Sequence, residues 1–339
     1  MKSLAQEARK MFDQISLADH ENSENVQKLP GDASTRMYYR LHISGKSYVL
    51  MKMESFEEHG LRLPFIEVQS HLKNAGVDVP QVIDFDAARG FILLEDLGDV
   101  TLLRKLQDVS SQDVERHLYE RVIDSLVDLQ ANASPRDEKN KIAAFGLHFD
   151  ETKLLWEIQF TVEHFYSIYL KRRISDEDMA VIQSGFREIC ATLAAQPKVL
   201  THRDFHSRNI MVFGERFVMI DFQDARMGPR EYDLVSLLKD SYYQLDDAQI
   251  SRLSDYYIAR WEGVTGQKID RQKFREIYDL MAVQRNFKAI GSFASFLNRR
   301  GNATYLKFIG NTFENIRKSL LRYPKYARLR EVLFHYYYF

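Results

Sequence analysis

The chain has 339 residues, and its 47 Lys and Arg oppose 48 Asp and Glu, for a formal net charge of -1. Phosphate contacts release counterions only where Lys or Arg replace them, so this balance gives no reason to expect DNA, RNA or an anionic membrane as partner. Aromatic residues at 12%, with only 15 Gly and 7 Pro, exclude disordered, collagen-like and low-complexity classes, and the length suits two domains or one large two-lobed unit.

The single cysteine, Cys190, has no partner for an internal disulfide and cannot build a cysteine zinc site, which points to a reducing compartment. At the N-terminus, charges interrupt the apolar residues of MKSLAQEARKMFDQISL, so a secretory signal is not expected. No stretch approaches the ~18 consecutive apolar residues of a membrane span. The expectation is a cytoplasmic protein.

In chain order, residues 37–43 and 47–53 read as two strands joined by the turn Ser44-Gly45-Lys46. Pro64 suits a helix N1 position and Gly76 a C′ position, which brackets a helix over roughly 63–75. Residues 82–85 and 90–94 are two further apolar runs, separated by the turn-like 86–89. From Thr101 the period changes. Ser110 with Asp113 resembles a capping box, and Val114, Leu118, Val122, Leu126 and Leu129 define one helical face. Trp156, Phe160, Phe165 and Tyr169 suggest another helix, read as a core stripe rather than a sugar-stacking wall. Further helical patterns run over 246–261, 273–296 and 305–321, and strand-like runs return only around 197–221. The terminal His335-Tyr336-Tyr337-Tyr338-Phe339 packs onto the helical part or pairs with a second chain. This gives an α+β reading, β-rich up to about residue 95 and mainly helical after it, joined at Glu95-Asp96-Leu97-Gly98-Asp99.

Chemistry concentrates in Thr201-His202-Arg203-Asp204-Phe205-His206-Ser207-Arg208-Asn209, followed by Val218-Met219-Ile220-Asp221-Phe222-Gln223-Asp224. An H-x-D-x-x-x-x-N loop is followed, twelve residues after its Asn, by an Asp that ends an apolar run. Phosphoryl transfer needs this set: one carboxylate to orient the attacking hydroxyl and accept its proton, and a carboxamide with a second carboxylate to hold Mg²⁺ against a triphosphate. Taken singly, each is an ordinary turn or cap residue; their order and spacing carry the signal. No H-E-x-x-H, no cysteine metal pattern, no G-x-S-x-G and no strand followed by G-x-G-x-x-G occurs.

These segments resemble the kinase-like fold in its small-molecule branch, the aminoglycoside and choline phosphotransferases. Within that branch they are most similar to bacterial kinases of the anomeric hydroxyl of N-acetylmuramate and N-acetylglucosamine. Besides the loop and the Asp221 segment, the resemblance rests on Leu29-Pro30-Gly31-Asp32-Ala33-Ser34, Leu93-Leu94-Glu95-Asp96-Leu97-Gly98-Asp99, Gly228-Pro229 and Tyr232-Asp233-Leu234-Val235-Ser236-Leu237-Leu238. A weaker match is Gln284-Arg285-Asn286-Phe287-Lys288.

The resemblance implies a protein-kinase-like two-lobed fold. Residues 1–95 would be a nucleotide-binding lobe, 96–99 a hinge, and 100–339 a catalytic and substrate-binding lobe. ATP and Mg²⁺ would be the cofactors. Asp204 would be the catalytic acid–base group, with Arg208 and His206 neutralising the phosphoryl in flight, and Asn209 and Asp221 the metal ligands. Gly31, Ser34 and Thr35 would cover phosphates and Lys52 would contact them. Glu67 is the candidate to hold Lys52, with Glu54 or Glu57 as alternatives. Glu95 and Leu97 would meet the adenine edge. Arg285 and Lys288 either belong to a solvated helix face or meet a substrate carboxylate. The substrate is expected to be small, because only twelve residues separate Asp221 from Asp233, too few for a peptide-docking segment. The alternatives are an aminoglycoside or choline kinase, for which Glu157 and Glu163 would supply acidic charge, and a nucleotide-binding pseudokinase. The oligomeric state is left open.

Overall fold

The computed structural model describes Lys10 and residues 22–23, 25–30, 36–43, 45–135 and 142–338. Its first part is a six-stranded antiparallel sheet: β1 (Asn22–Ser23), β2 (Val26–Leu29), β3 (Met37–Ile43), β4 (Lys46–Lys52), β5 (Val82–Asp86) and β6 (Phe91–Glu95), in the spatial order β1-β2-β3-β4-β6-β5. Period-two alternation lets both faces bury. Leu50 and Leu93 join Val26, Leu41 and Ile43 in a small outer cluster, whereas Met51, Ile92 and Leu94 face the main core. Gly90 closes β5 to β6 at φ +70°. A Cβ there would come 2.1 Å from the Met53 carbonyl oxygen, so only glycine fits.

The helix Pro64–Asn74 starts at its proline, is followed by Gly76 at φ +79°, and buries Phe65, Ile66, Val68 and Leu72 under the sheet. The rest is mainly helical, with two short strand pairs: its α-helices are Leu102–Gln107, Gln112–Asn132, Glu151–Thr161, Asp176–Ala194, Glu231–Leu238, Asp247–Thr265, Arg271–Arg300, Ile309–Leu321 and Ala327–Tyr338. With the antiparallel sheet at one end this is an α+β, two-lobed fold, as expected. Among the described residues no helix is long and apolar enough to cross a membrane.

Two local expectations are corrected, and the packing of the C-terminal residues is seen. The cap of Gln112–Asn132 is Ser111, whose Oγ accepts from Asp113 N, not Ser110; the helix begins one residue later, and Val114 is left 50% exposed. The segment 156–169 is not one regular helix. An α-helix ends at Thr161 and a π-helix, Val162–Tyr169, follows. Its wider turn rotates Phe165 into the core while Trp156 stays 53% exposed, so the four aromatics do not form a core stripe. The C-terminal residues are helical and pack on the helical part: Tyr337 stacks on Phe313 with ring centroids 4.3 Å apart, and Tyr336 Oη donates to Asp178 Oδ2 at 2.9 Å.

The helix Arg271–Arg300 runs through the centre of the helical part. Gly291 lets it lie directly on Thr161, where an added Cβ would come 2.7 Å from Thr161 Cα. Thr161 Oγ1 donates to the Phe287 carbonyl at 2.9 Å and seals that contact.

Candidate active site

Two short antiparallel pairs carry the loop. Lys198–Thr201 pairs with Arg226–Pro229, and Ile210–Phe213 pairs with Arg216–Met219, so 202–209 and 220–225 leave neighbouring strand ends together. Asp233, in the first turn of Glu231–Leu238, accepts the N–H of His202 at 2.6 Å and of Arg203 at 3.0 Å, one on each oxygen. This cap holds Arg203 at φ +81°, in the left-handed region that side-chain-bearing residues seldom adopt. His202 Nε2 lies 2.9 Å from the Ile220 carbonyl oxygen, and burial lowers the imidazole pKa. His202 is therefore a neutral brace between the loop and the Asp221 segment. On the other side, Asp240 accepts both the N–H and the hydroxyl of Ser207. Asn209 Nδ2 donates to the Asp204 carbonyl at 3.0 Å, and Ile220 N to the Asn209 carbonyl at 3.0 Å. Asp204, Asn209 and Asp221 are thus brought to one place, with Asp221 also left-handed at φ +65°.

All three line a cleft of about 810 Å³ between the sheet and the helices. On the sheet side Leu29, Val49, Leu94, Met211 and Ile220 form an apolar slot beside Glu95 and Leu97. The segment bordering that slot is pinned from both directions. Arg40 on β3 bonds Asp96 through Nε at 2.7 Å and Nη2 at 3.0 Å, and Asp99 at 2.9 Å. Burial opposes the Asp96 charge, but Arg40, Ser47 and the Gly98 N–H outweigh it and lower that carboxyl. From the helical part, Arg216 reaches Glu95 at 2.8 Å and Asp78 at 3.1 Å.

On the helical side the wall is cationic and aromatic. Lys288 Nζ lies 3.3 Å from Asp204 Oδ1, with the two side chains only 15% and 26% exposed. Burial would raise the Asp204 carboxyl, yet Lys288 and Arg203 hold it well below the usual range. Arg208 lies over Tyr242 at 5.0 Å and Tyr305 at 5.4 Å from the ring centres. Burial, with Arg285 next, pushes His206 down to about 3.

Several expected residues stand elsewhere. Gly31, Ser34 and Thr35 lie outside the described residues, although Leu29, Pro30 and Arg36 on either side of them line the cleft. Lys52 ends β4, and neither it nor Glu67 lines the cleft. Glu67 faces away from the apolar arc of its helix, and its Oε2 accepts the Ala143 N–H at 2.9 Å, tying the helix to the following part of the chain. Glu67 thus spends one carboxylate oxygen on this backbone bond, outside the cleft lining. His206 lines the cleft as expected, and with burial and Arg285 lowering its pKa the ring offers a hydrogen bond rather than a charge while no phosphate is bound. The solvated-face reading of Arg285 and Lys288 also falls, because the middle of Arg271–Arg300 is covered on all sides and both residues turn into the cleft. Glu157 is buried and accepts from Gln284 Nε2 at 3.1 Å, Glu163 is exposed, and neither lines the cleft. Sequence reasoning missed Arg40, Arg216, Tyr242 and Tyr305. Their partners lie far away along the chain, and no local pattern marks them.

Comparison with known proteins agrees with this geometry. The phosphotransferase enzyme family (APH) matches residues 25–271. The N-acetylmuramate/N-acetylglucosamine kinase of Pseudomonas aeruginosa is 32% identical over 308 residues, covering 89% of this chain and 86% of that protein. The protein of the same name from Neisseria meningitidis serogroup B is 32% identical over 308 residues, covering 89% and 87%. Among solved structures, a choline/ethanolamine kinase family protein from Mesorhizobium loti superposes with a TM-score of 0.60 at 14% identity, over 97% of this chain and 99% of that one. An ADP-bound aminoglycoside phosphotransferase, APH(2'')-Ib, gives 0.59 at 15% identity, over 90% and 97%. The fold, the braced loop and the extent of these likenesses converge: the chain belongs to the phosphotransferase enzyme family and is a small-molecule kinase.

Proposed function

We propose that this kinase transfers the γ-phosphoryl group of ATP to the anomeric hydroxyl of an N-acetylated amino sugar, N-acetylmuramate or N-acetylglucosamine, in the cytoplasm. The observation that carries the substrate class is the charge of the acceptor wall. Arg208, Arg285 and Lys288 stand there beside the one carboxylate Asp204, and neither Glu157 nor Glu163 lines it. Aminoglycosides and choline are cations and would meet repulsion in such a site, whereas a neutral or anionic sugar would not. The names of the relatives that match over most of their length support the same class.

In this reading 96–99 is the hinge between the lobes, and the apolar slot beside Glu95 and Leu97 takes the adenine. Asp204 orients the sugar hydroxyl and takes its proton. Held so acidic, it is a weak base, which suits a loose transition state in which positioning matters more than early proton removal. Asn209 and Asp221 suit Mg²⁺: Asn209 spends its amide N–H on the Asp204 carbonyl, which leaves its oxygen to coordinate, and Asp221 adds a carboxylate. When bound, the metal neutralises phosphate charge. Arg208, fixed between two tyrosines, presents a cation to the reacting region.

The test is Mg-ATP with N-acetylmuramate, N-acetylglucosamine, glucosamine, choline and kanamycin, with ³¹P NMR locating any new phosphate. Turnover of an N-acetyl sugar at the anomeric position is expected, and turnover confined to choline or kanamycin would refute the reading. ATP binding without turnover of any acceptor would favour a pseudokinase. Asp204→Ala should keep nucleotide affinity and lose about 10²–10⁴ in kcat.

A further inference from the structure

We propose that Arg285 is a specificity-determining residue that reads a carboxylate on the acceptor, so that the enzyme favours N-acetylmuramate, which carries an ether-linked lactyl acid, over neutral N-acetylglucosamine. This rests on the amino-sugar reading above.

Arg285 is 4% exposed, yet it lines the cleft. Its Nε is buried with no hydrogen-bond partner, and among the described residues no ion pair to its guanidinium is formed. The buried acids Asp204, Asp233 and Asp240 feel its charge but direct their hydrogen bonds elsewhere: Asp204 to Lys288, Asp233 to the His202 and Arg203 N–H groups, Asp240 to Ser207. A buried guanidinium N–H that no protein acceptor takes is costly, and folds keep one where an acceptor arrives from outside. The planar fork of arginine suits a carboxylate, which it can grip through two parallel hydrogen bonds.

The position argues for the acceptor rather than the nucleotide. Arg285 lies one helical turn before Lys288, the residue that touches Asp204, on the wall shared with Tyr242 and Phe293 and away from the slot of Leu29, Val49 and Leu94. Residues three apart on a helix stand ~5–6 Å apart. That is comparable with the span of a pyranose ring, so a hydroxyl at Asp204 and an acid on a ring substituent can be held together. His206 also lines the wall, and its Nδ1 is buried without a hydrogen-bond partner, a second polar atom unused by the protein.

The experiment measures kcat/KM for both sugars, at saturating Mg-ATP, with the wild type, Arg285→Gln and Arg285→Lys. The muramate-to-glucosamine ratio should fall by about tenfold or more in Arg285→Gln, chiefly through KM for muramate, and Arg285→Lys should recover part of it. Equal losses for both sugars would overturn the proposal and assign Arg285 to the phosphoryl group or to the fold. A second measurement needs no variant. The methyl ester of N-acetylmuramate should drop to the level of N-acetylglucosamine with the wild-type enzyme; an ester as good as the free acid would also overturn it. Failure of the wild type on both sugars removes the amino-sugar reading itself, which separates the two claims.

Discussion

Replacing Lys288 by Met takes from Asp204 its nearest cation, and the consequence can be worked out. At 3.3 Å and an effective dielectric of about 20, the attraction is roughly 5 kcal/mol before any cost is counted. Much of that is offset by the desolvation of both groups, and Arg203 and Arg285 still act on the carboxyl after the change. A single opposite charge at such range typically lowers a carboxylate by about 1–3 units, and one unit corresponds to ~1.4 kcal/mol. The sign follows from the folded state. Asp204 is now held below its ordinary value and is ionised throughout any practical assay, so losing Lys288 raises its pKa and protonates a fraction of it in mild acid. The acid limb of kcat/KM, which Asp204 does not set in the wild type, should move to higher pH in Lys288→Met as the desolvated carboxyl begins to titrate, while Lys288→Arg keeps the wild-type profile. The assay is ADP release at saturating ATP, followed from mild acid to mild alkali with both variants. A Lys288→Met enzyme that is slower but has an unmoved acid limb would refute the reasoning, because Lys288 would then serve the sugar and not the carboxylate.

Three further outcomes follow from other contacts. His206, pushed to about 3 by burial and by Arg285, should show no titration by NMR through the neutral range; an ordinary transition near ~6.5 contradicts the site geometry. Arg40→Met leaves the largely buried Asp96 carboxylate with only Ser47 and the Gly98 N–H. It should cost about 1–3 kcal/mol in urea unfolding and raise KM for ATP more than KM for the sugar, because the loosened segment borders the slot proposed for the adenine; an unchanged KM for ATP would detach that segment from nucleotide binding. Gly291→Ala forces a methyl group against Thr161 Cα at 2.7 Å. A loss of about 1–3 kcal/mol in thermal unfolding is expected, with KM for the sugar rising more than KM for ATP, and unaltered melting would show that the crossing can open freely.

Legibility in the sequence was uneven, for physical reasons. The β3–β4 hairpin and the helix Pro64–Asn74 were readable because alternation, a starting proline and a closing glycine act over a few residues. The loop that holds Asp204 and Asn209 was readable because its geometry is local: the Asn209 side chain bonds a carbonyl five residues back. The sequence could not choose for Arg285, because charge on a helix is ordinarily solvated and a helix covered on every side reverses that prior; only its neighbours reveal the covering. Trp156 and Phe165 looked like one stripe because a regular helical period was assumed, and the π-turn after Thr161 changes the phase. Arg40 and Asp96 are 56 positions apart, and no window along the chain joins them.

The seat of Arg271–Arg300 on Thr161 at Gly291 separates two tasks. Acidic and amide groups for chemistry come from the loop and the turn at Asp221, while much of the acceptor wall comes from this one helix, locked from behind by a contact too close to admit a side chain. Cleft-facing positions that do not act on Asp204, such as Ala289, Ser292 and Phe296, can therefore vary without disturbing the loop or the packing behind the helix. New acceptors become accessible to such a scaffold through a few substitutions along a single face, while the machinery that handles the phosphoryl group stays as it is.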